Sequence, residues 1–109
     1  MIDYENCKYI WDVDKHTKNQ MKHHVSFQEA KTVFHDKNIV IKPDPEHTTD
    51  DEERFFAVGM SNLLKRSKYQ RLLLVCHCYR SEDTIRIYSA RAANEYWTMV
   101  YETENGGEI

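Results

Sequence analysis

Residues 72–89, LLLVCHCYRSEDTIRIYS, decide the fold, because they predict two β-strands joined by a short turn. LLLVCHCY (72–79) begins as an unbroken apolar run, which is typical of a central strand buried on both faces. TIRIYS (84–89) alternates apolar and polar residues, which is typical of a strand with one buried face. The four residues between them, RSED, are few enough for a hairpin turn, so the two strands are predicted to pair antiparallel.

Two further strand-like segments precede this hairpin along the chain. IVIK (39–42) and RFFAVGM (54–60) are rich in β-branched and aromatic residues, and Pro43 and Pro45 lie in the acidic loop between them. Short links between successive strands favour antiparallel neighbours, so the four segments are predicted to form a β-meander. Tyr9–Trp11 is an additional candidate for a short strand.

Two helices are predicted before the meander. Asp12 is a suitable N-cap for a polar helix that ends near His24, because its carboxylate can accept a hydrogen bond from a free backbone N–H. Ser26 and Glu29 fit a capping box, in which Ser26 caps the second helix and Glu29 bonds back to it. Apolar residues then recur at helical spacing and form the predicted buried stripe: Phe27, Ala30, Val33 and Phe34.

A third helix is predicted to close the chain, from about Ala90 to Glu102. Ser89 is its predicted N-cap, which puts Arg91 at about the second helical position. The apolar stripe of this helix, predicted to pack on the sheet, consists of Ala93, Tyr96, Trp97 and Val100.

The complete prediction is one α+β domain over residues 1–109, with two N-terminal helices, a four-stranded antiparallel β-meander and a C-terminal helix packed on the sheet. The tail, from about residue 103 to 109, is expected to be disordered. No apolar run reaches the roughly 18–20 residues that a membrane helix needs, and the start lacks a signal-peptide pattern, so we expect a cytoplasmic protein. The three cysteines need no disulfide in that compartment, and Cys76-His77-Cys78 lacks the spacing of a zinc site.

Charge is distributed unevenly along the chain, whose formal net charge is -3. Residues 43–53 hold six acidic residues and no Lys or Arg, whereas residues 54–91 hold eight basic residues and two acidic ones, a local charge of +6. A local basic surface can attract a polyanion even on a mildly acidic protein. The acidic segment is interpreted either as a contact for a basic partner or as a solvated loop.

Residues 85–91, IRIYSAR, put two arginines at the junction between the last strand and the predicted closing helix. The free N–H groups at a helix start favour an anion, so Arg86, Arg91 and this helix start are predicted to hold a phosphate together. Alternatively, both arginines pair with carboxylates of the acidic loop at residues 44–53. The residue pattern leaves both interpretations open.

Five stretches of the chain occur in the same order in a known family: WDVDKHTKNQMKHHVSFQEAKTVF (11–34), the PDPEH loop (43–47), EERFFAVG (52–59), LLLVCHCYR (72–80) and IRIYSARAA (85–93). On these stretches the chain resembles the BrnT family, ribonuclease toxins of bacterial type II toxin–antitoxin systems with a RelE-like fold. The resemblance implies cleavage of RNA without a metal ion or cofactor, inhibition of translation, and a BrnA-like ribbon-helix-helix antitoxin through which the pair binds operator DNA. The alternative is a catalytically inactive relative that binds its antitoxin and regulates an operator.

Cleavage of RNA through its 2′-hydroxyl needs a base for the hydroxyl proton, cations for the phosphorane charge and an acid for the leaving 5′-oxygen. Arg54, Arg86 and Arg91 are the predicted phosphate ligands, because a guanidinium matches phosphate oxygens and keeps its charge. His77 and Glu53 are the predicted groups for proton transfer. Alternatively, His77 is a core histidine and Glu53 is an ion-pair partner of Arg54.

The predicted RNA-binding residues are Lys22, His23, Arg80 and Trp11. Lys22 and His23 end the polar first helix and match the KH position of the family, although a solvated helix face is the alternative. Arg80 follows the third strand of the meander and is a weaker candidate for a phosphate contact. Trp11 is a candidate for stacking on a base, or else belongs to the core.

Overall fold

A five-stranded mixed β-sheet is the centre of the fold. The computed structural model describes residues 2–63 and 70–107. Within them the elements are, in chain order, β1 (Lys8–Ile10), α1 (Val13–His23), α2 (Phe27–Ala30), a 3₁₀ helix (Lys31–His35), β2 (Val40–Pro43), β3 (Arg54–Met60), β4 (Leu72–Ser81), β5 (Thr84–Ala92) and α3 (Glu95–Glu104). The strands lie in the order β1-β5-β4-β3-β2. The predicted α+β class is therefore confirmed.

The sheet differs from the predicted four-stranded antiparallel meander by one strand. β2 to β5 pair antiparallel in sequence order, but β1 pairs with β5 in parallel, with Tyr9 opposite Ile85. A hydrogen bond from Lys8 N to Asp83 O, 2.6 Å long, ties the start of β1 to the β4–β5 turn. A three-residue sequence cannot reveal which distant strand it pairs with, and this pairing makes the sheet five-stranded and mixed.

The β4–β5 hairpin forms the middle of the core, as its sequence predicts. Leu73 and Val75 join the core on the α2 side of the sheet, and Leu74 joins a second core under α3, so both faces of β4 are buried. Ile85 and Ile87 of β5 are fully buried on the α2 side. Each aliphatic side chain buried in this way contributes about 1.5–3 kcal/mol of transfer free energy.

The starts of α1 and α2 are as predicted. The carboxylate of Asp12 accepts a hydrogen bond from Lys15 N, and Ser26 Oγ accepts one from Glu29 N, each 3.0 Å long. The predicted stripe is buried throughout: Phe27, Ala30, Val33 and Phe34. The second half of the capping box is wrong, because the Glu29 carboxylate accepts hydrogen bonds from Arg71 and Ser61 instead. A guanidinium offers a charge-assisted, two-pronged partner, which is stronger than a single backbone N–H.

Helix α1 lies along the part of β5 that β1 leaves uncovered. β1 pairs only with Thr84–Arg86, so the next residues of β5 face the helix instead of a strand. Asn19 is the one buried residue of α1, and its side chain bonds to the backbone of Ala90. The other residues of α1 stay at least partly exposed, as the polar sequence predicts.

The closing helix begins later than predicted. β5 continues through Arg91 to Ala92, because both residues pair with β4. Asn94 rather than Ser89 is the N-cap, and its side-chain oxygen accepts a hydrogen bond from Trp97 N at 3.0 Å. The prediction that Arg91 lies in the first turn of a helix is therefore wrong, and so is the predicted phosphate site at that helix start.

Helix α3 packs on the sheet through most of the predicted stripe. The ring centre of Trp97 lies 4.9 Å from that of Phe56 in β3. Tyr96, which was predicted to pack on the sheet, is 57% exposed, and Tyr101 is buried in the second core instead. Ala93 lies before the helix, and the residues of α3 that pack in the second core are Trp97, Val100 and Tyr101.

The predicted disordered tail and part of the predicted basic segment lie at or beyond the limits of the described residues. The tail was predicted to be disordered from about residue 103, but α3 continues to Glu104, and Gly107 N donates to Glu102 O at 2.7 Å. Residues 108 and 109 lie outside the described part, as do Lys65, Arg66 and Lys68, three of the eight basic residues between positions 54 and 91. Among the described residues, none of the helices combines the length and the apolar character needed to cross a bilayer.

Candidate active site and nucleic-acid interface

Two of the predicted phosphate ligands lie in one row across the sheet. Arg54 of β3 and Arg86 of β5 are both opposite Cys78 of β4. Residues directly opposite each other on neighbouring strands share a face, and the two arginine backbones are about 10 Å apart, twice the strand spacing. Phe56, two residues after Arg54, packs against α3, so this row lies on the α3 side of the sheet.

Tyr88 brings these two arginines together. It follows Arg86 by two residues along β5 and therefore projects from the same face. The guanidinium carbon of Arg54 is 3.7 Å from the centre of the Tyr88 ring, and that of Arg86 is 5.6 Å from it. Each cation is attracted by the negative face of the ring, by about 0.5–2 kcal/mol. The ring thus holds two permanent positive charges close to each other.

Glu52 connects the residues of this face. Its Oε1 atom accepts hydrogen bonds from the Tyr88 hydroxyl at 2.5 Å and from Arg54 Nε at 3.0 Å, and its Oε2 atom accepts one from Arg80 Nη1 at 3.0 Å. The hydrogen bond from Tyr88, together with the bond and the charge of Arg54, lowers the pKa of Glu52 to about 2. Burial raises the pKa of the Tyr88 hydroxyl, so Tyr88 keeps its proton at neutral pH. We call this group the Glu52 cluster: Glu52, Arg54, Arg80, Arg86 and Tyr88.

The acid that contacts Arg54 is therefore not the predicted one. Glu53 is exposed, and its neighbour Glu52 makes the ion pairs with Arg54 and Arg80. The alternative in which the acidic loop pairs with Arg86 and Arg91 is wrong as well. Within residues 2–63 and 70–107, no carboxylate forms an ion pair with either of them.

A groove of about 220 Å³ runs between α1 and the second half of β5. Its lining consists of Lys15, Lys18, Asn19, Lys22, His23, Tyr88 and Ser89. The lysines line the same groove because helix residues spaced three or four apart share a face. Tyr88 belongs both to this α1–β5 groove and to the Glu52 cluster, so the two form one continuous surface. Lys22 and His23, predicted to bind RNA, therefore lie beside the predicted phosphate ligands.

His23 is the histidine in the lining of the α1–β5 groove. Partial burial lowers its pKa, and the positive charges of Lys22 and Arg91 lower it further. The imidazole is therefore mainly neutral at pH 7, the form that accepts a proton. Arg91, the third predicted arginine, follows Ala90, whose backbone bonds to Asn19 of α1, so it lies beside this helix.

His77 lies on the opposite side of the sheet and is fully buried. Its ring centre is 4.9 Å from that of Phe34, and its Nε2 atom is 3.2 Å from the Tyr79 hydroxyl. Burial lowers the pKa of His77 to about 4, so the ring is neutral. This geometry is that of the core histidine considered as the alternative, and it gives the ring no access to RNA.

Trp11 also packs against the core. Its ring centre lies 5.9 Å from that of Phe27, although the indole stays partly exposed. Its predicted role in stacking on a base stays a prediction. Within the described ranges, no group of three or more His, Cys, Asp or Glu side chains is arranged to hold a metal ion.

Sequence reasoning missed two residues at the centre of the site, Glu52 and Tyr88. For Tyr88 a signal was present, because a residue two positions from Arg86 on a strand shares its face. For Glu52 the signal was ambiguous, since two adjacent glutamates precede Arg54 and nothing in the sequence indicates which one turns toward it.

The fold and the site together are those of a small α+β protein with a cationic face suited to a polyanion. A model of the family described as "Ribonuclease toxin, BrnT, of type II toxin-antitoxin system" matches residues 11–96, and the chain belongs to this family. The resemblance inferred from the sequence is thereby confirmed.

A solved structure agrees at the level of the fold. The crystal structure of the Brucella abortus ribonuclease toxin BrnT superposes with a TM-score of 0.58, over 82% of this chain and 99% of that chain, at 23% sequence identity. No curated protein sequence matches this chain.

Proposed function

We propose that this protein is an endoribonuclease that cleaves RNA without a metal ion, through attack of a 2′-hydroxyl on the adjacent phosphate, and thereby inhibits translation. The observation that carries the proposal is the continuity of the Glu52 cluster with the α1–β5 groove, which share Tyr88. An RNA chain brings successive phosphates to the protein, and this surface offers lysines from the helix and arginines from the sheet. Membership of a family of ribonuclease toxins supports the same activity.

In the proposed reaction, Arg54 and Arg86 stabilise the phosphorane. The guanidinium of Arg54 is oriented by the Tyr88 ring and by Glu52 before any substrate binds. Charges that are already oriented stabilise a transition state without the cost of reorganisation. Two permanent cations at one phosphate supply the charge that a metal ion would otherwise provide. Arg91, near the end of α1, contacts a neighbouring phosphate.

Proton transfer is assigned to His23 and Tyr88, which both line the α1–β5 groove. His23 is mainly neutral at pH 7 and takes the proton of the 2′-hydroxyl. Tyr88, whose hydroxyl donates a hydrogen bond to Glu52 in this structure, gives its proton to the leaving 5′-oxygen. Exchange with water then returns the proton to Tyr88 and removes it from His23. His77 and Glu53 have no part in this scheme, because His77 is buried on the other face and Glu53 forms no ion pair with an arginine of residues 2–63 and 70–107.

The proposed partner is a BrnA-like ribbon-helix-helix antitoxin, and the pair binds its operator DNA through the antitoxin. A single domain with a RelE-like fold, over residues 1–109, is part of the same proposal.

A second candidate function, antitoxin binding without RNA cleavage, is favoured by one observation. Glu52 already occupies Arg54 and Arg80, which lowers the positive charge available to a phosphate.

The test is incubation of the purified chain with RNA in EDTA, beside Arg54→Ala, Arg86→Ala and Arg91→Ala variants. Lys37→Ala is the matched control, because Lys37 is exposed and lies outside the site. We expect cleavage by the wild type and the control only, with all proteins folded by circular dichroism. Cleavage that stops in EDTA and returns with Mg²⁺ contradicts the metal-free mechanism. A folded wild type that leaves RNA intact yet co-purifies with its antitoxin supports the second function.

A further inference from the structure

A second cavity opens at the end of the sheet, next to the Glu52 cluster. Its volume is about 520 Å³, and its lining consists of Asp51, Glu52, Glu53, Phe55, Tyr79 and Arg80. Glu52 and Arg80 also belong to the Glu52 cluster, so this strand-end cavity begins where the proposed phosphate site ends.

Aromatic rings form one wall of the strand-end cavity. The ring centres of Phe55 and Tyr79 are 5.3 Å apart, with the planes at 65°. The Tyr79 hydroxyl is 3.0 Å from that of Tyr4 and 3.2 Å from His77 Nε2, so the ring is held in place from behind. Unpaired RNA bases bind by stacking on such rings, with about 1–3 kcal/mol per base.

Two carboxylates stand at the open side of this wall. Asp51 and Glu53 are exposed, and within the part of the chain that the structure describes neither side chain has an ion pair or hydrogen bond, whereas Glu52 has three. A carboxylate repels a phosphate but accepts two parallel N–H groups. The sugar–phosphate backbone is therefore kept on the arginine side, and a neutral base is admitted. Guanine fits best, because N1–H and the N2 amino group lie side by side on its Watson–Crick edge.

We propose that the strand-end cavity binds an unpaired guanine of RNA and makes cleavage selective for this base. The location of the guanine next to the scissile phosphate rests on the proposed function, whereas base binding by itself does not. A basic side chain of a protein partner is the other ligand that carboxylates attract. Guanine is favoured because the cavity has a wall of aromatic rings on which a base can stack, and because the cavity is continuous with the proposed phosphate site through Glu52 and Arg80.

The first experiment measures binding, independently of cleavage. Guanosine, inosine and adenosine 3′-monophosphates are titrated into the full chain and followed by NMR shifts. Inosine differs from guanosine only in lacking the N2 amino group. We expect guanosine monophosphate to bind at least about tenfold more tightly than the other two, as for a two-bond contact to a base edge. Glu53→Gln or Asp51→Asn should remove this preference, whereas Asp50→Asn, an exposed neighbour outside the cavity, should keep it.

Equal binding of the three nucleotides overturns the proposal, and so does tighter binding of N-acetyl-arginine amide, which would identify a site for a protein partner. The second experiment maps the cleavage sites in RNA oligonucleotides. If cleavage shows no preference for guanine and is unchanged in Glu53→Gln, the proposed guanine site is contradicted, whereas the proposed nuclease activity is supported. If the chain binds guanosine monophosphate selectively but cleaves no RNA, the proposed guanine site is supported and the proposed nuclease activity is contradicted.

Discussion

Asn19 of α1 pairs with Ala90 of β5 as a neighbouring strand would. Its Oδ1 atom accepts a hydrogen bond from Ala90 N at 3.0 Å, and its Nδ2 atom donates to Ala90 O at 2.9 Å and to Val25 O at 3.0 Å. One buried amide therefore gives hydrogen-bond partners to the backbone N–H and C=O of Ala90, on the part of the β5 edge that β1 does not cover. This pairing positions the lysines and His23 of a helix that has little apolar surface of its own.

Substitution Asn19→Leu should destabilise the protein by about 1–3 kcal/mol, because it leaves buried backbone groups of Ala90 and Val25 without partners. The change appears as a lower urea midpoint at unchanged slope. Gln20→Leu is the matched control, since Gln20 is exposed on the same helix. Equal urea midpoints for the two variants would show that the hydrogen bonds of Asn19 do not stabilise the packing of α1 on β5.

Arg54 and Arg71 should respond differently to replacement by lysine. Arg54→Lys keeps the charge but loses the stacking on Tyr88 and the Nε bond to Glu52, so we expect RNA cleavage to fall about 10- to 100-fold, in the range of a lost transition-state contact. Arg71→Lys breaks the two-pronged bond to Glu29, so it should lower the melting temperature and leave cleavage by the folded protein unchanged. Equal loss of cleavage in both variants would contradict the assignment of Arg54.

The pH dependence of cleavage tests His23. The pKa of His23 is lowered from 6.5, so the rate should fall as the pH decreases through a value below 6.5, where the base becomes protonated. Lys22→Gln removes a charge that lowers this pKa, and the acid limb of kcat/KM should then move to higher pH. Lys18→Gln, which removes a charge from the same groove but not one that lowers this pKa, should leave the limb in place. An acid limb that is the same in all three proteins would exclude His23 as the base.

His77 should affect stability but not cleavage. Its pKa is about 4 in the folded protein and 6.5 when unfolded, so the unfolded chain binds the extra proton between these values. Wild-type stability should therefore fall by up to about 3 kcal/mol as the pH is lowered from 6.5 to 4. His77→Phe should remove that slope and retain nuclease activity at pH 7. His35→Gln, a change at an exposed histidine, should retain the slope. Loss of cleavage in folded His77→Phe would restore His77 as a catalytic candidate.

The sequence predicted the local features of this fold well. Asp12 and Ser26 cap their helices as expected, because a cap depends on one side chain and the next three residues. The buried stripe from Phe27 to Phe34 and the buried middle of β4 follow from periodicity alone.

The candidate site was predicted less completely. The sequence indicated Arg54, Arg86 and Arg91, and all three lie on the α3 side of the sheet, but it assigned Arg91 to a helix. Strand β5 continues past Ser89 only because β4 offers Leu73 and Leu74 as pairing partners, and a Ser-Ala-Arg-Ala sequence is compatible with either structure. His77 was singled out for its chemistry, and only its burial excludes contact with RNA in this structure.

By itself, then, the sequence determined the strands, the starts of the first two helices, the family and the supply of positive charge between residues 54 and 91. Only the tertiary structure decided that Glu52 rather than Glu53 binds Arg54, that Tyr88 joins the arginines to the α1–β5 groove, and that Asn19 completes the edge of β5. The physical reason is that caps and periodicity act between residues close in the chain. Strand register and side-chain pairing join residues tens of positions apart, and no local pattern specifies them.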